Sequence, residues 1–283
     1  MAETLNISNF SSFSLTANKE KTSLVLIHGW GLNSGVWQPL IESFSDDFKD
    51  FFNIITIDLP GFGTNVTNEI SPYTLENICK RIVEVIDEPA IYLGWSLGGL
   101  VATELALSYP KKALGLITVA NSPKFLEENL DNDIWPGIKP KVLEGFHQQL
   151  HVDTKKTING FLKIQAMGSP HIRHDIKQLS ELVFQHELAS EDTLDSSLKL
   201  LEISDYRKKL KLITQPFLRI YGNADSLVPK AVIEKIDRLS PNSDSHTFMQ
   251  ASHAPFISHP EDFKLLLTNW LLNKSQNNFI NTQ

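Results

Sequence analysis

Apolar residues gather in short runs at 24–27, 54–57, 91–93, 114–119, 217–221 and 247–249, with helical or loop sequence in most of the intervals. Runs this short and continuous predict strands buried on both faces. Their alternation with helices predicts an α/β architecture whose mostly parallel central sheet is flanked by helices. Between 122 and 206 the strand signal disappears and helical spacing replaces it, in Val142, Leu143, Phe146 and Leu150 and again in Ile172, Ile176, Leu179 and Val183. The pattern predicts an inserted helical cap at 122–206 and a core built from 1–121 and 207–283. Pro123, Pro136 and Pro140 punctuate the entry and Pro216 precedes the return to the sheet. Apolar stripes on such helices are mostly packing faces, yet a cap above the strand ends must also wall any pocket there.

With 283 residues and 41% hydrophobic content, the chain can bury a full core as one large domain with an insertion. A net charge of −7, and no lysine and arginine stripe interleaved with aromatics, argue against broad nucleic-acid binding. Cys79 is the sole cysteine, which rules out an internal disulfide and a cysteine-based zinc cluster and suits a reducing cytoplasm. Neither a basic-then-apolar leader nor a run of ~18 apolar residues is present, so a cytoplasmic protein without a membrane span is expected. Asn6-Ile7-Ser8, Asn9-Phe10-Ser11 and Asn65-Val66-Thr67 match the glycosylation pattern, which is irrelevant without secretion. The polar tail at 273–283 reads as frayed.

Candidate chemistry centres on Gly94-Trp95-Ser96-Leu97-Gly98, a Gly-x-Ser-x-Gly frame between a strand run and a helix predicted over 99–108. Side chains at the two glycines would clash where strand turns abruptly into helix, and the turn lifts Ser96 above the sheet edge as a candidate nucleophile. A serine hydroxyl needs a histidine to take its proton and a carboxylate to orient that histidine. Asp225, in Tyr221-Gly222-Asn223-Ala224-Asp225, and His253, in Ala251-Ser252-His253-Ala254-Pro255-Phe256, follow the last two strand runs. The order Ser96, Asp225, His253 is that of α/β-hydrolases. Alternatives remain at each position: His246 and His259 lie nearby, Asp225 could cap a helix starting near Pro229, and Asp205 is a rival carboxylate. Two backbone amides are candidate oxyanion donors, those of Leu97 at the helix start and of Trp30 after His28-Gly29. The Trp30 indole reads as pocket wall, and His28 as a residue that holds its loop. Asp58-Leu59-Pro60-Gly61-Phe62-Gly63 lacks the glycine spacing of a phosphate or dinucleotide loop and reads as a structural turn. No zinc-hydrolase histidine pair is present, so neither metal nor cofactor is expected.

Leu26-Ile27-His28-Gly29-Trp30-Gly31-Leu32-Asn33, Asp58-Leu59-Pro60-Gly61-Phe62-Gly63, Leu93-Gly94-Trp95-Ser96-Leu97-Gly98-Gly99-Leu100-Val101 and His253-Ala254-Pro255-Phe256-Ile257-Ser258-His259-Pro260 together closely resemble the pimeloyl-[acyl-carrier protein] methyl ester carboxylesterases of biotin synthesis. The likeness enters the cap through Trp135-Pro136-Gly137-Ile138-Lys139-Pro140 and Phe161-Leu162-Lys163-Ile164-Gln165-Ala166-Met167-Gly168, and it covers roughly 24–272. It implies Ser96, Asp225 and His253 as the triad, with substrate contacts from Trp30, Ser96, Leu97 and the stretch Phe161, Leu162, Lys163, Ile164 and Gln165. It also implies that basic cap residues, here Lys156, Arg173 and Lys177, dock an acidic acyl-carrier protein. An arginine expected immediately before Phe161 is replaced by Gly160. Five basic residues and one acidic residue between 155 and 177, Lys155, Lys156, Lys163, Arg173 and Lys177 against Asp175, give this stretch a charge of +4 in an acidic protein; a solvated helix face is the alternative.

The reading that follows is hydrolysis, by a serine carboxylesterase expected to be a monomer, of the methyl ester of a carrier-linked pimeloyl chain. The same triad also serves broad short-chain carboxylesterases and carbon–carbon bond hydrolases, and a hydrolase fold can persist as a binding module without turnover.

Overall fold

The apolar runs become strands of one seven-stranded sheet. The computed structural model describes residues 4–10, 21–130 and 133–274. Its strands are β1 (Ile7–Asn9), β2 (Thr22–Ile27), β3 (Phe52–Ile57), β4 (Ala90–Trp95), β5 (Ala113–Val119), β6 (Glu128–Leu130), β7 (Asp133–Trp135), β8 (Phe217–Gly222) and β9 (Asp244–Phe248). The helices are α1 (Gln38–Ser43), α2 (Asp46–Phe51), α3 (Leu75–Val85), α4 (Leu97–Ser108), α5 (Pro140–Leu150), α6 (Thr154–Ala166), α7 (Ile172–Val183), α8 (Glu191–Ile203), α9 (Lys230–Leu239), α10 (Pro255–Ser258) and α11 (Pro260–Lys274).

The main sheet runs β1-β3-β2-β4-β5-β8-β9, and every pairing in it is parallel except that of β1 with β3. Registers such as Ile27 with Gly94 and Gly94 with Thr118 align the carboxyl ends of β2, β4 and β5. The loops bearing His28, Ser96 and Asn121 therefore leave the sheet side by side, where ligands of such sheets bind. Central β4 is buried at every residue, and α4 behind it is buried from Leu97 to Ala106. That uniform burial accounts for a helix that is apolar on nearly every side, with Thr103 and Glu104 as its buried polar residues. By contrast α3 buries only Leu75, Ile78, Cys79 and Ile82 and is N-capped by Thr74, whose hydroxyl accepts the Asn77 N–H.

Five of the six expected runs lie wholly within parallel strands and the sixth overlaps one, and three details differ. The last strand is Asp244–Phe248 instead of 247–249; its first three residues are exposed at the sheet edge and polar, so apolar patterning does not register them. β1 is an exposed three-residue edge strand that carries no pattern. Within the insertion, β6 and β7 form a short antiparallel pair where no strand was expected.

The rest of the insertion is helical. Leu143, Phe146 and Leu150 of α5 and Leu179 and Val183 of α7 are buried as their spacing predicts, whereas Val142 and Ile172 are exposed. Asp153 caps α6 and Ser190 caps α8 through side-chain acceptors. The two crossings between core and insertion meet at one point, where the Tyr206 N–H donates to the Pro123 carbonyl at 2.8 Å. Tyr206 also donates its hydroxyl to Glu104 of α4 at 2.7 Å, and Arg207 pairs with Glu128 and Asp205 alongside. No helix among the described residues is long and apolar enough to cross a membrane. The leader reading at the extreme N-terminus and most of the tail reading fall on 1–3, 11–20 and 275–283, outside the described residues.

Candidate active site

Ser96 stands between β4 and α4 with φ 55° and ψ −116°, a left-handed conformation that a residue with a side chain adopts only when its surroundings impose it. Two bonds impose it here: the Ser96 N–H donates to Val119 O at 2.9 Å, and Asn121 Nδ2 donates to Ser96 O at 3.0 Å. The flanking glycines are steric requirements. A Cβ on Gly94 would lie 2.0 Å from the Gly98 carbonyl oxygen, and one on Gly98 would lie 2.4 Å from that of Ile27. Leu97 opens α4, so its N–H has no acceptor within the helix. Gly29 packs against the serine, a Cβ there falling 3.3 Å from Ser96 Cβ. The loop that carries the Trp30 N–H thus adjoins Ser96 as well.

Asp225 and His253 are brought together from the ends of β8 and β9. His253 Nδ1 and Asp225 Oδ2 are 2.7 Å apart, with both side chains buried. The other carboxylate oxygen accepts the N–H groups of Leu227 and Val228 at 2.8 and 3.1 Å. A carboxylate offers only acceptors, so Nδ1 carries the proton and Nε2 is left as the basic nitrogen. That Nε2 is buried and has no hydrogen-bond partner among the described residues. It forms no hydrogen bond with Ser96; pairs of this kind commonly tighten only when a substrate binds. Trp95 joins the two loops by donating Nε1–H to the His253 carbonyl at 2.7 Å.

The rival residues sit elsewhere. Asp205 is exposed and paired with Arg207 and Lys124. The N-cap of α9 is Pro229, with no side-chain cap bond, so Asp225 does not cap that helix. His246 is exposed and packs on Phe248, and His259 bonds to Ser258. His28 holds its loop: Nδ1–H donates to Gly29 O at 2.8 Å and Nε2 accepts the Leu59 N–H at 3.0 Å. Complete burial pushes its pKa below 6.5 despite the nearby Asp58, in keeping with this neutral tautomer. In the segment 58–63, Gly61 and Gly63 take positive φ and Asp58 accepts from Ser34 and Thr64, a structural turn.

The insertion places an aromatic wall against the Ser96 loops. Trp30 meets Phe161 edge-on at 4.8 Å, Phe161 meets Phe146 at 5.4 Å, and the Trp30 indole N–H donates to Leu194 O at 2.9 Å. Leu162 is fully buried, Ile164 half-buried and Lys163 exposed on the outer face of α6. Lys163 therefore does not share the inner face of Phe161 and Gln165, since a helix turns by about 100° per residue. Gln165 is fully buried, and neither its amide nitrogen nor its amide oxygen has a partner among the described residues. Lys156, Arg173 and Lys177 are all exposed, with Lys177 facing Glu181 at 3.7 Å. A Cβ on Gly160 would meet nothing within 4 Å. Neither Phe146 nor the Leu194 carbonyl carries a sequence signal that marks it as a neighbour of Trp30. Phe146 stood in a helical stripe, a signal that does not distinguish a pocket wall from a packing face.

Residues 22–260 match the family described as alpha/beta hydrolase fold. Two proteins of Yersinia pseudotuberculosis, from serotypes IB and I, are each named pimeloyl-[acyl-carrier protein] methyl ester esterase. Each is 41% identical over 255 residues, spanning 90% of this chain and 95% of the relative. Among solved structures, an esterase from Exiguobacterium antarcticum superposes with TM-score 0.79 at 20% identity, covering 95% of both chains. A hydrolase from Oleispira antarctica gives the same TM-score, identity and coverage. With its strained Ser96 turn, its buried Asp225–His253 pair and these relatives, the chain belongs to the α/β-hydrolase family, among the pimeloyl-[acyl-carrier protein] methyl ester esterases.

Proposed function

We propose that the protein hydrolyses the methyl ester of a pimeloyl chain carried on acyl-carrier protein, with Ser96 as nucleophile, His253 as general base and Asp225 as its orienting acid. The observation that carries the mechanism is the buried Asp225–His253 pair, whose unpartnered Nε2 serves the loop of a strained serine. The substrate rests on the printed names of the Yersinia relatives.

Ser96 Oγ attacks the ester carbonyl carbon as Nε2 takes its proton. The carbonyl oxygen becomes an oxyanion that the Trp30 and Leu97 N–H groups stabilise, an effect typically worth ~10²–10³ in rate for each donor. The tetrahedral adduct collapses, the C–O bond to the methoxy group breaks, and His253 returns the proton so that methanol leaves. Water then gives a proton to His253 and attacks the acyl-enzyme, releasing the free carboxylate and restoring the Ser96 hydroxyl. Trp30, Phe146, Phe161 and Leu162 wall the acyl chain, and the buried Gln165 amide offers N–H donors to an ester oxygen. Lys156, Arg173 and Lys177, all exposed, attract the acidic carrier. A single buried cysteine suits a reducing compartment, and we place the reaction in the cytoplasm.

The test compares kcat/KM for the carrier-linked pimeloyl methyl ester with that for free short-chain esters, using Ser96→Ala as control. A clear preference for the carrier-linked ester, abolished by Ser96→Ala, is expected. Equal values on both substrates would leave a broad short-chain carboxylesterase. More than ~1% residual turnover in Ser96→Ala would overturn the nucleophile assignment.

A further inference from the structure

The C-terminal end of α6 and the histidine loop share hydrogen bonds that catalysis does not account for. Ser252 is 2% exposed, and its hydroxyl oxygen lies 2.7 Å from the carbonyl oxygens of both Gln165 and Met167. The next residue, His253, donates its backbone N–H to that same Gln165 carbonyl at 3.1 Å. The last carbonyls of a helix have no intrahelical donor and must find one outside. Here the histidine loop supplies it. The loop packs closely on the end of β8, where a Cβ on Gly222 would fall 2.0 Å from the Ser252 carbonyl oxygen. Just beyond α6, Gly168 takes φ +98° and packs where its Cβ would lie 2.8 Å from Ala224 Cβ, one residue before Asp225.

We propose that Ser252 is a positioning residue that fastens the substrate-facing cap helix to the general base, so that the stance of the His253 ring depends on α6. The inference rests on the reading of His253 as base. Phe161 and Gln165 on the inner face of α6 precede the carbonyls that hold Ser252 and His253 by no more than two turns of helix. A substrate seated on that face therefore bears on the nitrogen that must reach Ser96. Without the Ser252 hydroxyl the Gln165 carbonyl keeps only the His253 N–H, the Met167 carbonyl loses its donor, and the ring is held less closely. Misplacement of a catalytic group by about 1 Å can cost on the order of a hundredfold in rate.

The experiment uses Ser252→Ala, with Ser252→Thr as the variant that restores the hydroxyl. Active sites are counted by fluorophosphonate labelling, and kcat, KM and the labelling rate constant are measured per titrated site on a short p-nitrophenyl ester. Counting sites removes any contribution from misfolded protein. In Ser252→Ala, kcat and the labelling rate constant are expected to fall together by about ten- to a hundredfold, with KM within about twofold of wild type, and Ser252→Thr to recover most of the loss. A kcat per site equal to wild type, with only the melting temperature lowered, would overturn the proposal and leave Ser252 as structural glue. A loss confined to KM would overturn it too, since α6 would then act as wall alone. Absence of labelling at Ser96 in the wild-type chain would instead refute the underlying triad reading.

Discussion

Trp95 donates its indole N–H to the carbonyl oxygen of His253 at 2.7 Å, so the residue before the candidate nucleophile holds the candidate base in place. The ring also packs on Trp37 and Phe256, which Trp95→Phe would partly preserve while deleting the donor. A buried carbonyl stripped of its partner costs about 1–3 kcal/mol. Trp95→Phe should lower the melting temperature and reduce kcat by about five- to tenfold; a variant unchanged in both would remove this bond from the account.

Gln165 buries an amide whose two polar atoms have no partner among the described residues. A buried amide without a partner costs roughly 1–3 kcal/mol. Gln165→Leu should therefore raise the denaturant midpoint while lowering kcat/KM for the pimeloyl ester. Loss of stability together with unchanged kcat/KM would show that the amide serves the fold alone.

Opposite charges on partners chiefly speed encounter, and salt screens the effect. Arg173→Glu combined with Lys177→Glu should lower kcat/KM for the carrier-linked ester and spare small free esters. Gly160→Arg is the converse. The site is open to a side chain, and replacing a mid-helix glycine removes a penalty of about 1 kcal/mol. It should raise kcat/KM for the carrier-linked ester at low salt and lose that gain at high salt. An equal rate at both salts would place carrier docking elsewhere.

His28 is buried and its pKa lies below 6.5, so the folded protein keeps it neutral where the unfolded chain would protonate it. Its stability contribution is complete above the unfolded pKa and is lost as pH falls below about 6.5 toward the depressed folded value. His151 is shifted upward by Glu191 and works in the opposite direction, but it is exposed and screened. Melting temperature should therefore decline between about pH 7 and pH 5.5, with a flatter decline in His28→Gln. Parallel slopes in the two proteins would assign the decline to other groups.

The parallel strands and the Ser96 turn were legible because continuous apolar runs and a glycine frame are local signals. The Asp225–His253 pairing was legible from chain order, since sheet topology delivers both to one edge. What escaped was of two kinds. β1 and the start of β9 are short exposed edge segments that carry no periodicity, and β6 is a three-residue strand too short to show one. The grip of Ser252 on α6 joins residues 87 positions apart, and neither Ser252 nor the Gln165 carbonyl has a side-chain pattern that announces it. The outward turn of Lys163 is helical geometry applied to a run of five residues that the family resemblance treated as one block.

The hydrogen bond from the Tyr206 N–H to the Pro123 carbonyl brings the two ends of the inserted segment together. To the sheet, everything from 124 to 205 is one long excursion between β5 and β8, and neither strand needs its register altered to accommodate it. Stretches of that excursion away from α6 can lengthen or change charge while β4 and the Ser96 turn stay as they are. α6 is the exception: it is tied back to the histidine loop through Ser252 and the His253 N–H, so a change in its pitch reaches the far side of the hydrogen bond as well.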